Sequence, residues 1–161
     1  ELLKTLPPTK QAAVRERCRV VLRENPRPEL DAIRVDLLKS EYLEAEAAAE
    51  RGRLRTAAES DAGETVSTLK RLAVEFAEIA QQASGRVRQL EVQEQSRPDA
   101  TAAEATEAKI LLADARRIRS LARYYAGWSS CYVAQLLKDR PELAQAYSLT
   151  KPGSRRFLVQ Q

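Results

Sequence analysis

The longest run of hydrophobic order in the chain lies between residues 62 and 95. Val66, Leu69, Ala73, Phe76, Ala80, Ala83, Val87 and Leu90 follow one another at spacings of 3, 4, 3, 4, 3, 4 and 3. That is the period at which the side chains of one helix insert between those of a facing helix in a coiled coil. Leu72 and Ile79 widen the stripe, which predicts contact with more than one neighbour. A similar period recurs in Ala108, Leu111, Ala115, Ile118, Ala122 and Tyr125, and again in Val35, Leu38, Tyr42, Ala45 and Ala49, flanked by Ile33 and Leu37. Val14, Cys18 and Val21 give a shorter version near the start. Strand-like alternation is confined to Phe157-Leu158-Val159, too short to form a sheet.

Punctuation divides this pattern into elements. All seven prolines fall at boundaries, where a missing N–H is tolerated. They predict helices over about 9–24, 28–59, 62–95 and 98–126, then a shorter C-terminal pair. Asp61 with Glu64, and Asp139 with Glu142, have the spacing of capping boxes. Gly63 and Gly127 read as breaks, whereas Gly52 and Gly85 lie inside helical pattern. The second and third helices are of similar length and are joined around Ser60 to Gly63, which predicts an antiparallel hairpin. The expected fold is all-α: an elongated antiparallel three- or four-helix bundle with coiled-coil-like, Ala-rich seams over residues 1–126. A short C-terminal helical pair and a basic, aromatic tail follow over 127–161, within one continuous domain.

Composition agrees, and it removes chemistry. The 161 residues include 26 alanines, no histidine, no methionine and five glycines. Without histidine the chain lacks the usual general base and the commonest metal ligand, and the Glu-x-x-His carboxylate metal bundles are excluded. Ser129 and Ser130 have no base to activate them, and no glycine-rich cradle for phosphate exists. The run Glu41, Glu44, Glu46 and Glu50 reads as a solvated acidic face balanced by Lys39, Arg51 and Arg53. Cys18 and Cys131 read as two small buried or half-buried thiols without a metal or redox spacing. No catalytic residue, cofactor or metal is expected, and the chain is not expected to be an enzyme. No apolar run approaches the roughly 18 residues of a membrane span. A soluble protein is expected, with an intracellular setting favoured. The chain begins with Glu1, which reads as a processed or truncated start.

Charge is unevenly distributed. The net charge of +4 resolves into +1 over residues 1–60, −3 over 61–110 and +6 over 111–161. The last third also holds six of the eight aromatic residues: Tyr124, Tyr125, Trp128, Tyr132, Tyr147 and Phe157. Arg116, Arg119 and Arg123 fall on one narrow stripe, and none has an acidic residue three or four positions away. Such a stripe takes its counter-charge from elsewhere, either the acidic surface of the third helix or a neighbouring subunit, or a phosphate backbone.

These features predict a helical scaffold or assembly subunit acting through protein–protein contacts, in a homo-oligomer or a larger complex. Val66, Leu69, Leu72, Phe76, Ile79, Val87 and Leu90 are its candidate interaction residues. The alternative is an oligomeric nucleic-acid-binding protein using Arg116, Arg119, Arg123, Tyr124, Trp128, Lys151, Arg155 and Arg156, which equally suit an acidic protein partner. A third reading lays the Arg/aromatic segment on an anionic membrane surface. The tail from Lys151 to Gln161 reads as a docking motif in preference to a disordered strip or a cover on the bundle.

Two local resemblances bear on the alternative. The stretch from Tyr125 to Leu137, with its Gly-Trp-Ser turn before Val-Ala-Gln-Leu-Leu, resembles the first half of helix-turn-helix units. The helix expected after it opens with Glu142-Leu143-Ala144-Gln145, which offers little that reads a base edge. The Ala/Glu-rich run from Tyr42 to Glu59, ending in Arg-Gly-Arg-Leu, resembles the central helix of phage small terminase subunits. That resemblance implies ring assembly and DNA packaging, although the N-terminal DNA-binding module of that family is not evident in residues 1–30.

Overall fold

Pro8 and Pro28 open the first two helical segments, where their missing N–H groups would in any case have no partner. A computed structural model, which describes residues 7–53, 59–96, 101–142 and 144–145, places α1 over Pro8–Glu24, a 3-10 turn over Pro28–Leu30, α2 over Asp31–Arg53, α3 over Glu59–Gln95 and α4 over Ala102–Asp139. Every described element is helical, and the four helices pack against one another.

Cross-helix contacts give the directions. Glu41 bonds Arg71 and Glu29 pairs with Arg86, so α2 and α3 run antiparallel. Arg116 meets Glu91 and Arg123 meets Ser84, so α3 and α4 do the same. Lys39 lies over Tyr125 and Arg140 reaches the Gly52 carbonyl, which makes α2 and α4 parallel. Arg15 meets Glu44 and Arg19 meets Glu41, so α1 returns along α2. The chain therefore runs up and down through four helices.

The main core draws on three of them: Val35, Leu38, Tyr42, Ala45 and Ala49 from α2, Val66 to Ala83 of the α3 stripe, and Ile118, Ala122, Tyr125 and Leu136 from α4. The α3 and α2 stripes are buried largely as their periodicity predicts, with Leu37 joining and Ile33 left exposed. α4 departs from expectation in register. Leu112 is buried and Leu111 is 41% exposed. The buried positions 112, 115, 118, 122, 125, 129 and 136 form a wide stripe, because α4 faces α3 along its length and α2 along its C-terminal half.

α1 buries little, with Leu22 its only buried apolar residue among those described; Val14 and Val21 are exposed. Its attachment is polar instead. The Arg34 guanidinium donates to the Leu22 and Asn25 carbonyls at 2.7 and 2.9 Å and to Asp31 at 2.8 Å. It thereby satisfies end-of-helix carbonyls of α1 from the first turn of α2. Burial pushes the Asp31 carboxyl above its ordinary value, against the opposing pull of Arg34.

Three expected boundaries are corrected. α3 already begins at Glu59 and runs through Asp61 and Gly63, so Asp61 does not cap it. α4 begins at Ala102, where Thr101 and Glu104 form the reciprocal capping box: the Glu104 N–H donates to Thr101 and the Thr101 N–H to Glu104 at 2.9 Å. Gly127 does not break α4, which continues to Asp139. Arg140, at φ −135° and ψ 84°, is the junction before helical residues Pro141 and Glu142. The expected pair is thus one extension of α4 plus a turn after Arg140. A helix-interior glycine costs only about 1 kcal/mol relative to alanine, and burial of Tyr125, Ser129 and Leu136 on either side outweighs it. Nothing lies within 4 Å of a Cβ built at Gly127. Gly127→Ala is expected to stabilise the protein by about 0.5–1 kcal/mol in urea denaturation; a loss of stability would contradict the unbroken helix.

Candidate interaction surface

Because α4 is continuous, Tyr124, Trp128 and Tyr132 recur every fourth residue and form a ridge. Their ring centroids are 6.2 and 6.1 Å apart. Tyr124 and Trp128 are 56% and 43% exposed. The ridge is rooted in the core: Tyr124 meets Tyr125 edge-on at 5.2 Å, and Tyr125 contacts Tyr42 at 5.1 Å and Phe76 at 5.3 Å. The Tyr42 hydroxyl donates to Glu46 at 2.8 Å. On the α2 side, burial with Glu46 and Glu50 pushes the Tyr132 phenol up to about 12. Half-exposed Leu43 lies between Lys39 and Glu46 on α2.

The arginine stripe occupies the other flank of α4, toward α3. Arg116 bonds Glu91 at 2.7 Å, the acidic α3 partner that the sequence offers. Arg123 donates to the Ser84 hydroxyl at 3.3 Å. Arg119 is half-buried and has no partner among the described residues. Beside Arg123 a groove of about 440 Å³ is floored by Ala77, Ala80 and Ala126. Cations and rings therefore sit on different flanks, and carboxylates border the rings. Lys151, Arg155 and Arg156, with Tyr147 and Phe157, lie outside the described residues.

The candidate interaction residues of α3 sit inside the chain's own packing. Val66, Leu69, Leu72, Phe76, Ile79 and Val87 are buried, and Leu90 is half-buried beside Val87. The acidic run also divides. Glu41 and Glu44 face the arginines of α1, whereas Glu46 and Glu50 neighbour Tyr132, so the four do not converge. Among the described residues no group of three or more acidic, cysteine or histidine side chains is placed to hold a metal ion. Both cysteines are free thiols; Cys18 is half-buried as expected, whereas Cys131 is exposed, against the expectation of burial, because it lies off the buried stripe of α4. The helix-turn-helix resemblance loses its turn, since Gly127 to Ser129 are helical and Ser129 is buried without a hydrogen-bond partner for its hydroxyl. No helix among the described residues is long and apolar enough to cross a membrane.

One arrangement lay beyond sequence reasoning. Glu41, nearly buried, accepts from Arg19 of α1 and from Arg71 of α3, and Arg71 also bonds Glu75 at 2.6 Å. Arg19, Glu41 and Arg71 line a groove of about 620 Å³ between α1, α2 and α3. Hydrogen bonds to Glu41 and Glu75 hold the Arg71 guanidinium above its ordinary value although burial pulls it down. The charges answer one another, so the groove reads as the joint that holds α1. No sequence spacing signals it, because the three partners come from three helices.

No protein-family model matches the chain, and no curated protein or solved structure is significantly similar to it.

Proposed function

We propose that the chain is a non-enzymatic helical assembly subunit that acts through protein–protein contacts, with the outer face of α4 as its docking surface. The observation that carries this reading is the ring ridge. Tyr124 and Trp128 stand half-exposed on a rigid helix, anchored beneath by Tyr125, while the α3 stripe is used internally. Tyrosine and tryptophan dominate the energetics of protein interfaces because they offer large, stiff contact area.

Nucleic-acid binding is the second reading, and Arg119 and Arg123, neither facing a carboxylate among the described residues, favour it. Its weakness is placement. Phosphate contacts and base stacking need cations and rings on one surface, whereas here Glu46 and Glu50 border the rings and Glu91 occupies Arg116.

The test pairs two variants. Wild-type chain used as bait in its native source is expected to retain specific proteins that Tyr124→Ala/Trp128→Ala loses and Arg116→Ala/Arg119→Ala/Arg123→Ala keeps. A generic DNA duplex is the probe for the rival. Duplex binding that falls steeply with salt and disappears in the triple arginine variant would overturn the protein reading.

A further inference from the structure

The two flanks of α4 differ in charge. Arg116 and Arg123 reach toward α3, whereas Glu46 and Glu50 of α2 border the ridge of Tyr124, Trp128 and Tyr132. The phenols of Tyr42 and Tyr132 both donate to Glu46, the first at 2.8 Å, and no Lys or Arg pairs with it among the described residues. Exposed ring area therefore lies beside a carboxylate that hydroxyls solvate and no cation neutralises. Such a surface suits a segment that is both basic and hydrophobic.

One such segment is tethered next to it. Arg140 donates to the Gly52 carbonyl at 3.2 Å, so α4 ends beside the end of α2. Glu50 and Glu46 precede Gly52 by two and six residues, within about 9 Å of that junction along α2. Tyr132 and Trp128 precede Arg140 by 8 and 12 residues, about 12 and 18 Å along α4. The last described residue is Gln145, and 16 residues follow it. They hold Lys151, Arg155 and Arg156, no acid, and then the run Phe157-Leu158-Val159. Sixteen residues can reach on the order of 50 Å, more than twice the distance to Trp128. The order of chemistry also matches: going back from the junction, the carboxylates come first and the exposed rings after them. Tethering supplies a high effective concentration, so contacts too weak to hold a free peptide suffice here.

We propose that the C-terminal segment 146–161 docks on its own chain, with Lys151, Arg155 and Arg156 beside Glu46 and Glu50 and with Phe157 to Val159 against Tyr124 and Trp128. The arginine flank of α4 would repel the same segment. The ridge then has a resident occupant, and a partner protein gains it only by displacing the tail. The docking needs no second protein, so it stands or falls apart from the assembly reading.

Trp128 is the sole tryptophan, so acrylamide quenching of the full chain's fluorescence reads the ridge directly. Lys151→Glu/Arg155→Glu/Arg156→Glu changes no residue of the four helices. It is expected to raise the quenching constant about twofold, as ring area covered by the tail returns to water. A synthetic peptide of residues 146–161, added in excess to that variant, is expected to lower it again. Glu46→Gln/Glu50→Gln is expected to match the tail variant, with circular dichroism establishing that its helices are intact. Equal quenching in wild type and the tail variant would overturn the docking. So would unchanged quenching in a folded Glu46→Gln/Glu50→Gln chain. Protection that vanishes on dilution would also overturn it, since the tail would then lie on a second copy. The bait experiment is read separately: proteins retained through Tyr124 and Trp128 with no difference in quenching retire the tail docking alone.

Discussion

Phe76→Ala is expected to remove about 3–5 kcal/mol of stability, a large share of the roughly 5–15 kcal/mol typical of a domain. Phe76 is 0% exposed, and its ring stacks on Tyr125 of α4, interplanar angle 27°, while Tyr125 also touches Tyr42 of α2. Three helices therefore meet through three rings. Truncation removes the middle helix's ring and leaves a cavity that Leu72, Ile79 and Tyr125 cannot fill without leaving their own contacts. Phe76→Leu keeps most of the volume and is expected to cost about 1–1.5 kcal/mol. Urea denaturation of both variants checks the pair. A loss below about 1 kcal/mol for the alanine variant would mean that the ring is not at the centre of the packing.

Glu41→Ala is expected to act at one place. Its carboxylate takes bonds from Arg19 and Arg71 and so joins α1 to the α2–α3 pair. Removing it leaves two guanidinium groups beside each other with no charge between them. A fully buried pair broken in this way costs about 3–5 kcal/mol, but both arginines retain some access to water, so about 1–3 kcal/mol is expected. The loss should be concentrated in α1, which has Leu22 as its one buried apolar residue among those described. Hydrogen exchange is the appropriate measurement: amides of α1 exchange much faster while those of α3 near Phe76 keep their protection. Unchanged protection in α1 would show that the Arg15–Glu44 pair and the Arg34 clamp hold it without Glu41. Glu41→Gln preserves shape and one acceptor but not charge, and is expected to fall between.

The α3 stripe and the α2 stripe were legible because each has one dominant period with no competing apolar row. α4 was legible as a helix but not in register. Leu111 and Leu112 are adjacent and equally hydrophobic, and a helix serving two neighbours buries a stripe too wide for spacing alone to choose between them. Gly127 misled for a related reason. Local propensity marks it as a break, while the decisive contributions come from Ser129 and Leu136, whose burial depends on α2 and α3. Asp61 and Glu64 offered the spacing of a capping box, but α3 starts two residues before Asp61, whereas Thr101 and Glu104 supplied a real one. The arginine stripe was placed on the correct helix, and Glu91 was available in the sequence as its partner. The ring ridge was hidden by the false break, since a period of four across Tyr124, Trp128 and Tyr132 has meaning only in an unbroken helix.

The division of labour among the helices also bears on how the chain is made. α3 and α4 share the most extensive interface and are adjacent in sequence, so their pairing has low contact order and is the natural nucleus. Yet synthesis delivers α1 and α2 first. Val35, Leu38 and Tyr42 are covered in the finished molecule by the α3–α4 pair, and therefore stay uncovered until that pair has left the ribosome. A chain halted before α4 emerges carries an exposed apolar face with nothing of its own to close it, which makes the nascent state, not the finished one, the stage most in need of a chaperone.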